Sequence, residues 1–83
     1  MIDAPTVTLY VKVGCHLCED ARQMLARLYP RYPHRLEVID IESDPALYRR
    51  YWDQIPVLLT ADGEQPAPLT PAIVERTLAE LAR

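Results

Sequence analysis

Cys15 and Cys18, separated by His16 and Leu17, are the only two cysteines of this 83-residue chain. A thiolate attacks disulfides and binds metals, so a C-x-x-C pair can support thiol–disulfide exchange or contribute to a metal site. The pair lies where a predicted strand ends and a predicted helix begins. Free N–H groups and the helix dipole at that position favour an anion and lower the pKa of a thiol. Both sulfur atoms lie on one helical face, and we expect Cys15 to be the more acidic thiol.

The charged neighbours of the pair can tune this chemistry. Lys12 is the only lysine, since the other eight basic residues are arginines. His16 lies between the cysteines, and we predict that it tunes their redox potential, because stabilising the thiolate makes the disulfide a stronger oxidant. Glu19 and Asp20 stabilise the helix start but oppose a thiolate.

Two other interpretations of the cysteine pair remain open. Buried cysteines can be inert small hydrophobic residues. A structural zinc site needs four ligands, and His34 has no second histidine at ligand spacing, so we predict no metal site within one chain. A metal or iron–sulfur cluster shared between two chains stays open as a third possibility.

The composition indicates one small globular domain that spans residues 1–83. Apolar residues make up 49% of the chain and charged residues 25%, which is ordinary for a folded protein. The net charge of −3 argues against a nucleic-acid partner, and no apolar run reaches the ~18 residues of a membrane span. Two neighbouring cysteines do not form the scaffold of a secreted disulfide-rich domain. The first five residues do not resemble a signal peptide, so we expect a cytoplasmic location.

Hydrophobic periodicity predicts the first half of the fold. Residues 6–11 alternate as a strand, and residues 15–29 follow a helical period. The stripe on that helix is expected in the core; its members are Leu17, Ala21, Met24, Leu25 and Leu28. Residues 36–41 are apolar enough to predict a largely buried second strand.

The second half begins with Asp44 and Pro45, which predict the N-cap and first residue of a short helix. We expect its Leu47, Tyr48 and Tyr51 to face inward, and Trp52 to pack against the fold. A third strand covers residues 57–60. An Asp-Gly turn then leads to an edge strand around residues 64–67, which two prolines weaken. A last helix starts at residues 70–71. The order β-α-β-α-β-β-α predicts an α/β fold with a four-stranded mixed sheet flanked by helices.

The chain resembles the thioredoxin superfamily, and within it the small glutaredoxin-like proteins of bacteria. The resemblance covers nearly the whole chain and rests on residues 9–19 with the cysteine pair, residues 38–41 with Asp44 and Pro45, and residues 55–58. It implies a thioredoxin/glutaredoxin-like fold in which Cys15 is the attacking nucleophile and Cys18 the resolving thiol. It also implies that Pro56 is the family's cis-proline, that the backbone of Ile55 pairs with an extended thiol substrate, and that Lys12 holds a carboxylate of glutathione.

The resemblance has two departures. His16-Leu17 stands where glutaredoxins usually have Pro-Tyr, and the Gly-Gly and following Asp that hold the other end of glutathione are missing. The only glycines are Gly14 and Gly63. Glutathione therefore stays a possible co-substrate and not an expected ligand.

Together these features predict a thiol–disulfide oxidoreductase or electron carrier that needs no bound cofactor. Its expected partners are a disulfide-containing protein or small thiol, and glutathione or a thioredoxin-reductase-type system that regenerates the dithiol. The resemblance implies a monomer. The alternative is a redox-inactive thioredoxin-like binding module.

Overall fold

The computed structural model describes residues 4–82 and has the predicted order of strands and helices. A short 3-10 turn, Ile41–Ser43, follows the second strand. The elements are β1 (Thr6–Val11), α1 (His16–Leu28), β2 (Arg35–Asp40), α2 (Pro45–Tyr51), β3 (Val57–Thr60), β4 (Gly63–Gln65) and α3 (Pro71–Leu81).

The four strands form one mixed sheet in the order β2-β1-β3-β4. β1 is parallel to β2 and antiparallel to β3, and β3 forms an antiparallel hairpin with β4. Val11 lies beside Asp40, and Tyr10 lies beside Val57. The ends of β1 and β2 and the start of β3 therefore meet at one end of the sheet, which we call the site end because the cysteine loop follows β1.

Helices cover both faces of the sheet, as predicted. The face under α1 and α3 buries an aliphatic cluster that contains Val7, Leu9, Ala21, Leu25, Leu58, Leu69, Val74 and Leu78. The face under α2 buries a smaller cluster of Tyr10, Ile41, Tyr51 and Val57. None of the helices in residues 4–82 has the length and apolar character needed to span a bilayer.

Side-chain caps define where the helices begin. The Asp44 carboxylate accepts the N–H of Ala46 at 2.8 Å, and Pro45 follows it at the start of α2. The Thr70 hydroxyl accepts the N–H of Ile73 at 3.2 Å at the start of α3. An N-cap side chain satisfies an N–H that has no partner within the helix. The first cap confirms the N-cap predicted at Asp44, and the second confirms the predicted helix start at residues 70–71.

The prediction that the second strand is largely buried was wrong. β2 is an edge strand, and Leu36 and Val38 are 37% and 38% exposed. It also begins at Arg35 and ends at Asp40, while Ile41 belongs to the 3-10 turn. An apolar strand can occupy either the middle or the edge of a sheet, because sequence fixes its faces but not its neighbours.

Three side chains expected in the core are exposed instead. Leu17 is 58% exposed, Trp52 is 59% exposed, and Tyr48 is also exposed. Leu17 lies in the first turn of α1, where it lines the small cavity beside Pro56 and belongs to neither core cluster. Of the side chains of α2 that were predicted to face inward, only Leu47 and Tyr51 pack in the core cluster under this helix.

Candidate functional site

The loop between β1 and α1 places Cys15 at the start of the helix. Gly14 has a φ of +81°, in the left-handed region that side-chain-bearing residues rarely adopt. The Cys15 N–H then donates to the Lys12 carbonyl at 3.1 Å, which closes a tight turn. Cys15 itself has extended backbone angles and is the N-cap of α1. The glycine therefore reverses the chain so that the first cysteine meets the free N–H groups of the helix.

The two cysteines form a disulfide with a Cα–Cα distance of 5.2 Å, but their environments differ. Cys18 is 2% exposed, whereas Cys15 is only half-buried. The Sγ atom of Cys15 also accepts the backbone N–H of Cys18 at 3.2 Å. Hydrogen bonding to a charged group favours its charged form, so this contact would stabilise a Cys15 thiolate after reduction.

Pro56 lies against the first turns of α1. It is fully buried, and the Ile55-Pro56 bond is cis, as the resemblance implied. A cavity of about 80 Å³ joins Pro56 to Leu17, Met24 and Pro68. The Ala67-Pro68 bond is cis as well, which the sequence analysis did not predict.

Ile55 is half-buried, and part of its backbone is already engaged. Its N–H donates to the Tyr51 carbonyl at 3.2 Å at the end of α2. An extended substrate that pairs with this residue would therefore use the Ile55 carbonyl oxygen, or would have to displace the bond to Tyr51.

Lys12, predicted to bind substrate, and His16, predicted to tune the redox potential, both have partners of their own. The Lys12 ammonium lies 5.9 Å from the centre of the Tyr48 ring, a cation–π distance. The Nε2 atom of His16 is 3.7 Å from Oδ2 of Asp20, one helical turn away. Asp20 is therefore the ion-pair partner of His16 when the imidazole is charged, and this pair lies in the first turns of α1, beside Cys15.

Three exposed apolar side chains lie close in sequence to the cysteines or to Pro56, and their exposure was not predicted. We call Val13, Leu17 and Trp52 the apolar rim; they are 80%, 58% and 59% exposed. Val13 lies within the cysteine loop, Leu17 between the cysteines, and Trp52 four residues before Pro56. Closeness in sequence to the cysteines or to Pro56 was the available signal, but a hydrophobic residue beside a helix is more often core.

Within residues 4–82, no group of three or more histidine, cysteine, aspartate or glutamate side chains is arranged to hold a metal ion. Cys15, Cys18 and Pro56 lie at the site end, and the turn at Gly14 links Lys12 to the same region. The arrangement can therefore present one accessible sulfur, a second buried sulfur that can bond to it, and an apolar surface for whatever approaches.

Comparison with known proteins agrees with this geometry. The family described as a glutaredoxin-like domain (DUF836) matches residues 6–81. No curated protein sequence matches the chain.

Two solved bacterial structures are similar over most of their length. Protein XcR50 from X. campestris is 29% identical, with 89% of this chain and 96% of that chain covered and a TM-score of 0.77. Protein Ne2328 from Nitrosomonas europaea is also 29% identical, with 93% and 94% covered and a TM-score of 0.77.

A more distant structure shows the fold alone. Thioredoxin 1 from Thermosipho africanus is 14% identical, with 94% of this chain and 99% of that chain covered and a TM-score of 0.58. The sheet order, the cysteine pair at the start of α1 and the family match over residues 6–81 lead to one conclusion. The chain belongs to the glutaredoxin-like (DUF836) family and has the fold of the thioredoxin superfamily.

Proposed function

We propose that the protein is a thiol–disulfide oxidoreductase that uses Cys15 as its nucleophile and Cys18 as its resolving thiol. The reduced Cys15 thiolate attacks one sulfur of a substrate disulfide, and the other substrate sulfur leaves as a thiolate. Cys18 then attacks the Cys15 sulfur, which releases the second substrate thiol and forms the Cys15–Cys18 disulfide. Two electrons pass from the dithiol to the substrate.

The difference between the two sulfurs is the observation that carries this proposal. Cys15 is the more exposed residue and accepts the N–H of Cys18, whereas Cys18 is 2% exposed. An attacking thiol must be accessible and must be stabilised as a thiolate, and a resolving thiol needs to reach only its neighbour. The disulfide between the two residues supports the second step, since it is the product of that step.

The site's surroundings favour a protein disulfide over a small thiol. The apolar rim would be covered by an apolar segment of a protein substrate, and the carbonyl of Ile55 would accept a hydrogen bond from its backbone. Lys12 could attract a carboxylate, including one of glutathione. Its ammonium group would then either move away from the Tyr48 ring or bind the carboxylate while it stays over the ring.

Regeneration of the dithiol requires an external reductant. Glutathione or a thioredoxin-reductase-type enzyme would supply the two electrons, and no bound cofactor enters the cycle. The cycle needs a reducing compartment, in keeping with the cytoplasmic location expected from the sequence.

Single-cysteine variants test the proposal directly. The Cys18→Ser variant, reduced and then mixed with an excess of a peptide disulfide, should accumulate a mixed disulfide at Cys15 that intact-mass measurement detects. The Cys15→Ser variant is the matched control. Its remaining thiol is buried, so we expect its adduct to form at least about tenfold more slowly. Equal labelling of the two variants, or no adduct on either, would refute the assigned roles.

The apolar rim also favours a second candidate, a binding module without redox chemistry. Exposed apolar clusters commonly mark protein contacts. Disulfide reduction assays with glutathione and with a thioredoxin reductase separate the two candidates. Turnover in either assay supports the oxidoreductase, whereas binding of the same peptide by the Cys15→Ser/Cys18→Ser variant, with no turnover by the native protein, supports the binding module.

A further inference from the structure

The outer edge of β2 is open for strand pairing. Arg35 donates its N–H to the Pro5 carbonyl at 2.8 Å, on the side of β1. Successive residues of a strand direct their backbone groups to opposite sides, so Leu36 and Val38 direct their N–H and C=O groups away from the sheet. β2 has six residues and no proline.

The two edges of the sheet are protected to different degrees. β4, on the other edge, has only three residues and is followed directly by Pro66. Short edge strands and prolines are two means by which proteins prevent edge-to-edge association. The edge at β2 has neither of these features.

Apolar surface accompanies the open backbone of β2. Leu36 and Val38 pair with Val7 and Leu9, so they lie on the α1 face of the sheet, yet both are more than one-third exposed. A cavity of about 680 Å³ lies between β2 and α1, and the exposed Tyr29 forms part of its wall together with Leu36. A partner strand added at β2 would cover this surface.

We propose that β2 pairs antiparallel with β2 of a second copy of this chain, centred on Leu36, to form an eight-stranded sheet. In this register Leu36 lies opposite Leu36 of the second copy, and Arg35 lies opposite Glu37 in both directions. Because Leu36 directs its backbone groups outward, Arg35 and Glu37 form the non-hydrogen-bonded pairs, whose side chains are closest. Both are exposed, and neither has an ion-pair partner within residues 4–82.

The charge pattern selects a second copy and this register. Pairing centred on Glu37 would place two carboxylates opposite each other, which destabilises a strand pair. Pairing centred on Val38 would place Leu36 opposite Asp40 and Glu37 opposite Ile39. Of these three registers, only the one centred on Leu36 places opposite charges together. Residues 35–37 of the two strands then lie opposite each other, and Val38 lies opposite His34 of the second copy, just before its β2. The site end is at the other end of β2, so both cysteine pairs remain accessible.

Sedimentation equilibrium of the full chain tests the proposal over a protein concentration of roughly 1–500 μM. We expect a reversible monomer–dimer equilibrium. Arg35→Glu and Glu37→Arg should each weaken the dimer by at least about tenfold, because each change creates two like-charge pairs. The double variant Arg35→Glu/Glu37→Arg recreates both ion pairs with the charges exchanged and should return the affinity to within about threefold of the native value.

Two controls isolate the interface. Arg76→Glu changes the same charge on α3, away from β2, and should leave the dimer intact. The Cys15→Ser/Cys18→Ser variant should dimerise as the native protein does, which distinguishes this contact from a disulfide-linked or metal-bridged pair. Circular dichroism confirms that each variant is folded.

Three results would overturn the proposal. They are a monomer at every concentration, a dimer that neither single charge reversal weakens, and a dimer that both reversals weaken but the double variant does not restore. Each is independent of the redox function, which is measured on the cysteine variants.

Discussion

Under α1 and α3 the sheet is covered by aliphatic side chains, whereas under α2 it is covered mainly by two stacked tyrosines with Ile41 and Val57. The rings of Tyr10 and Tyr51 are 4.5 Å apart and nearly parallel. Burial raises the pKa of Tyr10, and the neighbouring Tyr51 and Glu64 raise it further. One face thus depends on the amount of apolar area buried, and the other on a few oriented contacts.

The two faces also differ in their relation to the candidate site, because α2 lies near the site end. α2 has seven residues, too few to be helical alone, and depends on its cap, on Tyr51 and on the Arg50–Glu64 ion pair at 2.7 Å. The same helix carries Tyr48, which contacts Lys12, and leads into the segment that ends at Pro56. We infer that the α1/α3 face, with its larger buried cluster, provides most of the stability. The α2 face holds Tyr48 near Lys12 and positions the segment that ends at Pro56.

The largest effect is expected from Leu25→Ala in the aliphatic core. Leu25 is almost completely buried, and truncation would leave a cavity that costs about 2–5 kcal/mol of unfolding free energy. Urea denaturation measures the loss. Leu17→Ala is the matched control on the same helix; because Leu17 is mostly exposed, its loss should stay within about 0.5 kcal/mol. Equal losses in the two variants would contradict the assignment of α1's inner face.

Tyr51→Leu is expected to have the next largest effect. It keeps an apolar side chain but removes the aromatic ring that stacks on Tyr10, at a cost of about 1–2 kcal/mol. Tyr48→Leu, on the exposed side of α2, should cost less. The comparison would fail if Tyr51→Leu destabilised the protein as much as Leu25→Ala.

Substitutions at the N-caps of α2 and α3, one helix on each face of the sheet, should have smaller effects on stability and form a matched pair. Asp44→Ala and Thr70→Ala should each cost about 1 kcal/mol, because each leaves one helix N–H without its partner. Amide hydrogen exchange should show the difference between them. We expect Asp44→Ala to accelerate exchange throughout α2, since so short a helix opens as a unit, and Thr70→Ala to act mainly on the first turn of α3. Asp53→Ala, just past α2, is the neutral control.

The smallest effect should come from the exposed ion pair that joins α2 to β4. The hydrogen bond from Arg50 is the main reason that the pKa of Glu64 lies below its ordinary value of 4.5. A carboxylate with a lowered pKa in the folded state adds stability above its unfolded pKa, and this contribution is lost as the pH falls through the folded pKa. Glu64→Gln should therefore be less stable than the native protein at neutral pH, and this difference should disappear in acid. Unfolding curves between pH 3 and 7 measure it; a difference that persists in acid would assign it to another cause.

Periodicity and turn chemistry predicted most of the fold correctly because they act locally. The alternation of residues 6–11, the Asp-Gly turn and the capping residue Asp44 each determine a few neighbouring dihedral angles. The predicted order of strands and helices and the position of Cys15 at a helix start follow from such signals, and both agree with the structure.

The errors concern what lies beside an element, which the local sequence does not specify. β2 is apolar, but its position at the edge depends on β3 pairing with the other side of β1. Leu17 fits the stripe of α1, but it is exposed and belongs to neither core cluster. The apolar rim was missed for the same reason, since hydrophobic pattern indicates which side chains could be buried and not which are.

The two glycines have a consequence for the unfolded chain. Gly14 and Gly63, with φ values of +81° and +127°, occupy positions that require this residue. Everywhere else the chain has side chains, and eight of them are prolines. Such a chain explores fewer backbone conformations when denatured, so it loses less entropy on folding than a glycine-rich chain of equal length. A domain of 83 residues has little interior to bury, so the lower conformational entropy of its unfolded chain is a useful contribution to its stability.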